Sequence, residues 1–286
     1  MEVNQTKSLS GIWRRLSTAV IFVLVMLGGL YGGRYSFVVL FALITAMCLW
    51  EFLNLVLTRL RKRDSIRMFL GVAFGLTPFV LATVLQLGVV RQIDTFVAFT
   101  ALLFFPFVFL AFIYELFAAS DRPFMNVAFL VLGMVYIGAP FAMLDFIAFD
   151  GTYFYANTVF GLLLMTWAND TGAYLVGSKF GRYKLYQRVS PGKTWEGTIG
   201  GFVVTVGIAF LLGATVDELR LVDWLVLSVI VGVFGTMGDL VESMFKRGLG
   251  VKDSGDILPG HGGLLDRFDA FIFLLPFAAA YILWVR

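Results

Sequence analysis

Charge is scarce in this sequence. Only 14% of its 286 residues are Asp, Glu, Lys or Arg, 59% are hydrophobic, and the mean hydropathy is +0.88. A soluble domain averages about 25% charged residues, so this composition excludes a water-soluble globule and indicates a polytopic membrane protein. Cysteine occurs once, as Cys48 within an apolar run, which excludes an internal disulfide and says nothing about redox compartment. Histidine also occurs once, as His261, with no cysteine or second histidine to complete a zinc site. The chain lacks a G-x4-G-K-[ST] phosphate loop and a G-x-G-x-x-G fingerprint followed by a strand, so a soluble-type nucleotide fold is excluded as well. It has no internal repeat, low-complexity stretch or soluble domain.

What the chain has in quantity is apolar runs, with 31 Phe and 30 Gly. Such a mixture suits helices packed in lipid, where glycine lets backbones approach closely. A span needs about 20 apolar residues, and nine are predicted, over about 16–31, 35–57, 67–88, 95–118, 124–144, 155–177, 194–213, 221–245 and 264–284. The predicted fold class is therefore all-α, a polytopic integral membrane helix bundle. With the N-terminus cytoplasmic, all of the 22 lysines and arginines except Arg34, Arg91, Arg220 and Arg286 fall on the inner side. That asymmetry predicts a cytoplasmic N-terminus and an outside C-terminus. The pI near 9.0 superficially suggests nucleic acid, but the cations sit at span ends, so no nucleic-acid partner is expected. Lys7, Arg14 and Arg15 before the first apolar run mimic a signal peptide; no A-x-A cleavage site follows, so a retained first span is expected.

Two regions are expected. Residues 1–150 supply about five spans with little chemistry. Glu51 and Glu115 read there as inexpensive interfacial carboxylates, and Arg59-Leu-Arg-Lys-Arg63 as a topology anchor more than a headgroup site. Residues 151–286 form the expected catalytic transmembrane region, with cytoplasmic loops 177–193 and 246–263. Its sixth span carries Trp167-Ala-Asn169-Asp170-Thr171-Gly-Ala-Tyr174, in which Asp170 and Tyr174 share a helix face. An interhelical hydrogen-bond cluster would explain these residues; an ionisable group at that depth more often lines a cavity.

The following loop has five cations, Lys179, Arg182, Lys184, Arg188 and Lys193, in seventeen residues. Ser190 before Pro191 reads as an N-cap and first helical residue, so the seventh span is expected to begin at Pro191 and to aim free amides and Lys193 at a phosphate. An ordinary capped helix with a basic flank is the plainer alternative. Gly197 and Gly201 read as a helix-packing pair.

The densest polar stretch is Gly238-Asp239-Leu-Val-Glu242-Ser243-Met-Phe-Lys246-Arg247, followed by Lys252-Asp253 and by Leu258-Pro-Gly-His261-Gly-Gly-Leu-Leu-Asp266-Arg267-Phe-Asp269. Asp239, Glu242 and Ser243 share a helix face, and Asp239 lies about 10 Å below Lys246 along it. Asp266 falls in the first turn of the last span, where the helix dipole favours negative charge. One aspartate from each helix would suit Mg²⁺, which takes one or two carboxylates plus waters and phosphates; salt bridges to Lys246, Arg247 or Arg267 are the structural alternative. The loop between them, rich in glycine, has the amides and cations to cradle a triphosphate. His261 is given a substrate-contacting or structural role rather than that of a base.

Ser243-x-x-Lys246-Arg247-x4-Lys252-Asp253-x4-Leu258-Pro-x-His261-Gly-Gly-x-x-Asp266-Arg267-x-Asp269 resembles the signature of the phosphatidate cytidylyltransferase (CDP-diacylglycerol synthase) family. Asp170-x-x-Ala173-Tyr174-x-x-Gly177 and Ser190-Pro-x-Lys193-Thr194-Trp195-Glu196-Gly197 extend the likeness over about the C-terminal 120 residues. The resemblance implies that CTP and phosphatidate become CDP-diacylglycerol and pyrophosphate in phospholipid biosynthesis, at a site facing the cytoplasm in the cell (inner) membrane. It also implies a divalent cation, here expected to be Mg²⁺, with acids at the positions of Asp239 and Asp266; a second cation and a homodimer stay open. Asp239, Asp266 and Lys252 are the expected catalytic residues. Ser190, Lys193, Thr194, Lys246, Arg247, Lys252 and His261 are the expected CTP and phosphate contacts, and Asn169, Asp170, Glu196, Glu242, Asp253, Arg267 and Asp269 a supporting polar cluster. Two other functions stay open on the residues alone. An ion-coupled transporter also carries intramembrane acids, but at mid-membrane in two related halves. A CTP-dependent lipid-alcohol kinase would release CDP instead of pyrophosphate. The D-G-x2-A-R…G-x3-D-x3-D motif of CDP-alcohol phosphotransferases is absent.

Overall fold

The computed structural model describes residues 2–57, 65–90, 93–118, 120–257 and 262–286. The chain forms a multi-pass membrane helix bundle. Among the described residues the helices are α1 (Glu2–Tyr31), α2 (Arg34–Leu57), α3 (Ser65–Gln86), α4 (Ile93–Phe117), α5 (Pro123–Gly133), α6 (Ala139–Ala148), α7 (Ala156–Phe180), α8 (Trp195–Thr215), α9 (Leu221–Ile230), α10 (Thr236–Gly248) and α11 (Leu265–Val285). Each predicted span coincides with one helical rod, because α5 runs into α6 and α9 into α10 through single π turns, Met134–Gly138 and Val231–Gly235. Seven rods in the described residues are long and apolar enough to cross a bilayer. The apolar part of α1, Ser17–Tyr31, is shorter, and α7 carries the polar Asn169–Thr171 run.

The all-α class holds, with minor additions among the described residues. Two short antiparallel hairpins occur, β1 (Phe149–Asp150) with β2 (Tyr153–Phe154), and β3 (Lys184–Tyr186) with β4 (Ser190–Thr194). The second is the one that shapes the site.

Helices in lipid gain little from the hydrophobic effect on one another and associate through close packing. Here α11 sits centrally against α2, α6 and α10, and its Phe268 and Phe271 are buried together with Phe37, Phe41, Phe52 and Phe141. The α7–α8 pair makes the most extensive helix–helix contact among the described residues. A Cβ on Gly201 would lie 2.5 Å from the Asn169 carbonyl and one on Gly197 2.8 Å from that of Ala173, so these glycines do serve as the packing pair expected from their spacing. At the bundle end holding the β1–β2 hairpin, Glu218 accepts from the amides of Asn157 and Thr158 and satisfies the free N-terminus of α7.

The N-terminal region holds a buried polar clasp that the sequence reading overlooked. Arg67 of α3 pairs with Glu115 of α4, and Asn126 of α5 donates to the same carboxylate at 2.8 Å. Glu115 is 2% exposed and Glu51 3% exposed, so both are buried between helices. Interhelical hydrogen bonds compensate for burying them.

Candidate active site

The helix start expected at Pro191 is four residues too early. Ser190–Thr194 is the β4 strand, Tyr186 pairs with Ser190, and α8 begins at Trp195. Thr194 is the N-cap, its hydroxyl accepting from the Gly197 amide at 3.2 Å. Pairing with β3 supplies β4 with backbone partners that a helical turn there would forgo, and proline is tolerated at the start of an edge strand. Glu196 then accepts from the Tyr183 amide at 3.2 Å and closes the hairpin, so its side chain holds the loop.

This hairpin forms one wall of an open cleft of about 370 Å³ between α7, α8 and α10. Asp170 and Tyr174 line it from α7, as their shared face predicts. Lys193 and Thr194 line it from the hairpin, and Asp239 from α10. Lys193 forms an ion pair with Asp239, the two side chains being 29% and 22% exposed. Asn169, at the back, is buried beside Thr205.

Behind Asp239 the carboxylates and cations form a connected network. Lys246 donates to Glu242 and to Asp266, each at 2.7 Å. Asp266 also accepts from the Ser254 amide at 3.0 Å and the Gly263 amide at 2.9 Å. Both its oxygens are therefore supplied with donors. Asp269, one turn further along α11, is buried, and its carboxyl is within hydrogen-bonding reach of Asp239 and Glu242. Glu242 Oε1 is buried and has no hydrogen-bond partner. Lys193 on Asp239 and Lys246 on Glu242 supply positive charge to this group of carboxyls.

Among the described residues no three His, Cys, Asp or Glu side chains converge into a self-sufficient metal cage. The donor set nonetheless fits Mg²⁺, which needs only one or two carboxylates when substrate phosphates complete its shell. Asp269 and Glu242 are charged neighbours in this network, and Asp266 is bonded to Lys246 and to the Ser254 and Gly263 amides.

The remaining expected residues spread over the same end of the bundle. Arg247 is exposed and donates to the Val251 carbonyl at 3.3 Å. Lys252 and Asp253 are exposed on the loop after α10. Arg267 is exposed and is an electrostatic neighbour of Asp170, as are Asp239 and Lys193. His261 lies outside the described residues. The sequence reading missed two residues from the N-terminal region. Glu51 hydrogen-bonds the loop around Ser254, and Tyr136, in the first π turn, has a buried hydroxyl with no partner and Glu242, Asp269 and Asp239 as its charged neighbours. An isolated acid deep in an apolar run was the available signal for Glu51; Tyr136 gave none, since a π turn is not legible in apolar sequence.

A sequence profile of the cytidylyltransferase family matches residues 13–285. The chain belongs to the cytidylyltransferase family. Among its relatives, the phosphatidate cytidylyltransferase of Staphylococcus saprophyticus is 34% identical over 263 residues, covering 92% of this chain and 95% of the relative. That of Staphylococcus haemolyticus is 35% identical over 270 residues, and that of Staphylococcus aureus 33% over 264, with the same coverage of both chains. The match to this cytidylyltransferase family begins in α1, so the likeness reaches well beyond the C-terminal 120 residues that carry its motifs. The match therefore takes in the N-terminal spans as well.

Proposed function

We propose that this cytidylyltransferase joins CTP and phosphatidate to give CDP-diacylglycerol and pyrophosphate. The observation that carries the reading is the floor of the cleft, where Asp239 meets Lys193 on one side and Asp269 on the other, in a chain whose relatives bear that enzyme's name.

The phosphate of phosphatidate is already anionic and needs no strong base. Its oxygen would attack the α-phosphorus of CTP, one P–O bond forming as the bond to pyrophosphate breaks. The protein's contribution is then positioning and neutralisation of charge. Mg²⁺ bound to Asp239 and Asp269 would neutralise phosphate oxygens and orient the two reactants. Lys193 holds Asp239 when substrate is absent and would turn to a phosphate when the cation takes its place. Lys246, fixed by Glu242 and Asp266, gives the loop a rigid positive point, and the exposed Arg247 and Lys252 would reach the triphosphate from the open side. The lipid keeps its chains in the bilayer and presents its headgroup at the open side of the cleft, beside the exposed Tyr174.

The basic-residue asymmetry supports a cytoplasmic site in the cell (inner) membrane, with the N-terminus inside and the C-terminus outside. Purified protein given labelled CTP and phosphatidate, with and without Mg²⁺, should release pyrophosphate and form CDP-diacylglycerol only with the cation. Release of CDP would identify a kinase, and CTP-independent solute flux in liposomes a carrier; either would overturn the proposal.

A further inference from the structure

Glu51 lies in α2, far in sequence from the residues that line the cleft, yet its side chain is committed to the C-terminal loop. Oε1 accepts from the Leu264 amide at 2.9 Å, and Oε2 from the Leu265 amide at 2.8 Å and the Ser254 hydroxyl at 3.0 Å. The first amides of a helix have no partner within it, so Glu51 caps α11 from another helix, its negative charge at the positive end of the α11 dipole. The enclosure is tight. A Cβ on Gly255 would come within 2.7 Å of Glu51 Oε1, and one on Gly263 within 2.6 Å of Oε2. The next residue, Phe52, stacks on Phe245 of α10 with ring centroids 5.2 Å apart. One turn of α2 therefore clasps the end of α10 and the start of α11 together.

The consequence reaches the cleft by a short path. Ser254, held by Glu51 through its hydroxyl, donates its amide to Asp266, which fixes Lys246. The α11 start that Glu51 caps also carries Asp269 to face Asp239. From this geometry we infer that Glu51 is a positioning residue for cytidylyl transfer, setting the loop and the first turn of α11 without touching substrate. The inference rests on the function proposed above for its activity readout only.

The test uses the full chain in detergent or nanodiscs, as wild type, Glu51→Gln, Glu51→Asp and Ser254→Ala. Glutamine keeps the volume but turns an NH2 group toward a donor. Glu51→Gln should lower kcat on the order of 100-fold, the usual cost of a displacement of about 1 Å at a reacting centre, while KM for phosphatidate holds. Glu51→Asp should restore part of the rate. Hydrogen exchange at the Leu264 and Leu265 amides should quicken at least about tenfold in Glu51→Gln, as expected when a buried cap is lost. Wild-type rate and unchanged exchange in Glu51→Gln overturn the inference. If that variant does not fold, Ser254→Ala decides: a slower rate with faster exchange supports it, and wild-type values for both overturn it. If wild type forms no CDP-diacylglycerol, the proposed function fails, and exchange alone still decides whether Glu51 orders this turn.

Discussion

Lys193 in β4 and Asp239 in α10 lie 46 residues apart in sequence and form an ion pair within the cleft. Both side chains retain access to solvent, so the pair can open when a phosphate competes for the lysine and a cation for the aspartate. Replacing Lys193 by Met should raise KM for CTP about tenfold or more, the loss of one charge-assisted phosphate contact, with a smaller effect on KM for phosphatidate. Steady-state kinetics varying each substrate separately would show this, and an unchanged KM for CTP counts against a nucleotide role.

Asp239→Asn and Asp269→Asn should each reduce turnover at ordinary Mg²⁺ by roughly 100-fold or more while the protein remains folded, as expected for loss of electrostatic stabilisation at the reacting phosphates. Partial recovery at high Mg²⁺ would mark a weakened cation site. Asp266→Asn should respond less to added Mg²⁺, because its oxygens are taken by Lys246, Ser254 and Gly263. Mg²⁺ titrations of the three variants distinguish the roles. An Asp269→Asn enzyme with normal rates would refute its place in the site.

The position of the α8 cap makes a separate prediction. Thr194→Ala should destabilise the protein by about 1 kcal/mol, whereas Ser190→Ala should be nearly neutral, because only the former removes an N-cap. Thermal unfolding in a fixed detergent is the measurement. The opposite ranking would restore a helix start at Pro191.

Breaking one partner of a buried ion pair leaves the other uncompensated, at a cost of about 3–5 kcal/mol. Glu115→Ala should therefore lower thermal stability markedly by stranding Arg67 and the Asn126 amide. The per-molecule activity of the surviving folded fraction should change little, since this clasp lies among α3, α4 and α5. A large stability loss with intact specific activity is the expected pattern; intact stability would mean the pair is not buried in the membrane-embedded protein.

Seven of the rods in the described residues were legible because lipid demands a long apolar run, and the short first span and the polar α7 were the less plainly marked ones. The Asp170–Tyr174 face and the Gly197–Gly201 packing pair were legible because helical spacing brings them together without reference to the rest of the fold. The loop contacts of Asp266 were not, because only the path of the preceding loop brings the Ser254 and Gly263 amides onto its carboxylate. Glu51 was misread for a related reason. A position near a helix end does not reveal that another helix terminus is docked upon it.

The π turn at Val231–Gly235 lies just upstream of Asp239 on a rod whose other part is keyed by the fully buried Trp224. An α-helix advances about 100° per residue, so the widened turn acts as a phase adjuster between the two parts. Removing one residue from the α-helical stretch 236–238 just after it, with the π turn kept, would swing the acidic stripe about 100° away from Lys193 and Asp269. Such a deletion should yield an inserted, cooperatively melting protein without transferase turnover, and retained turnover would show that the rod has another way to take up the twist.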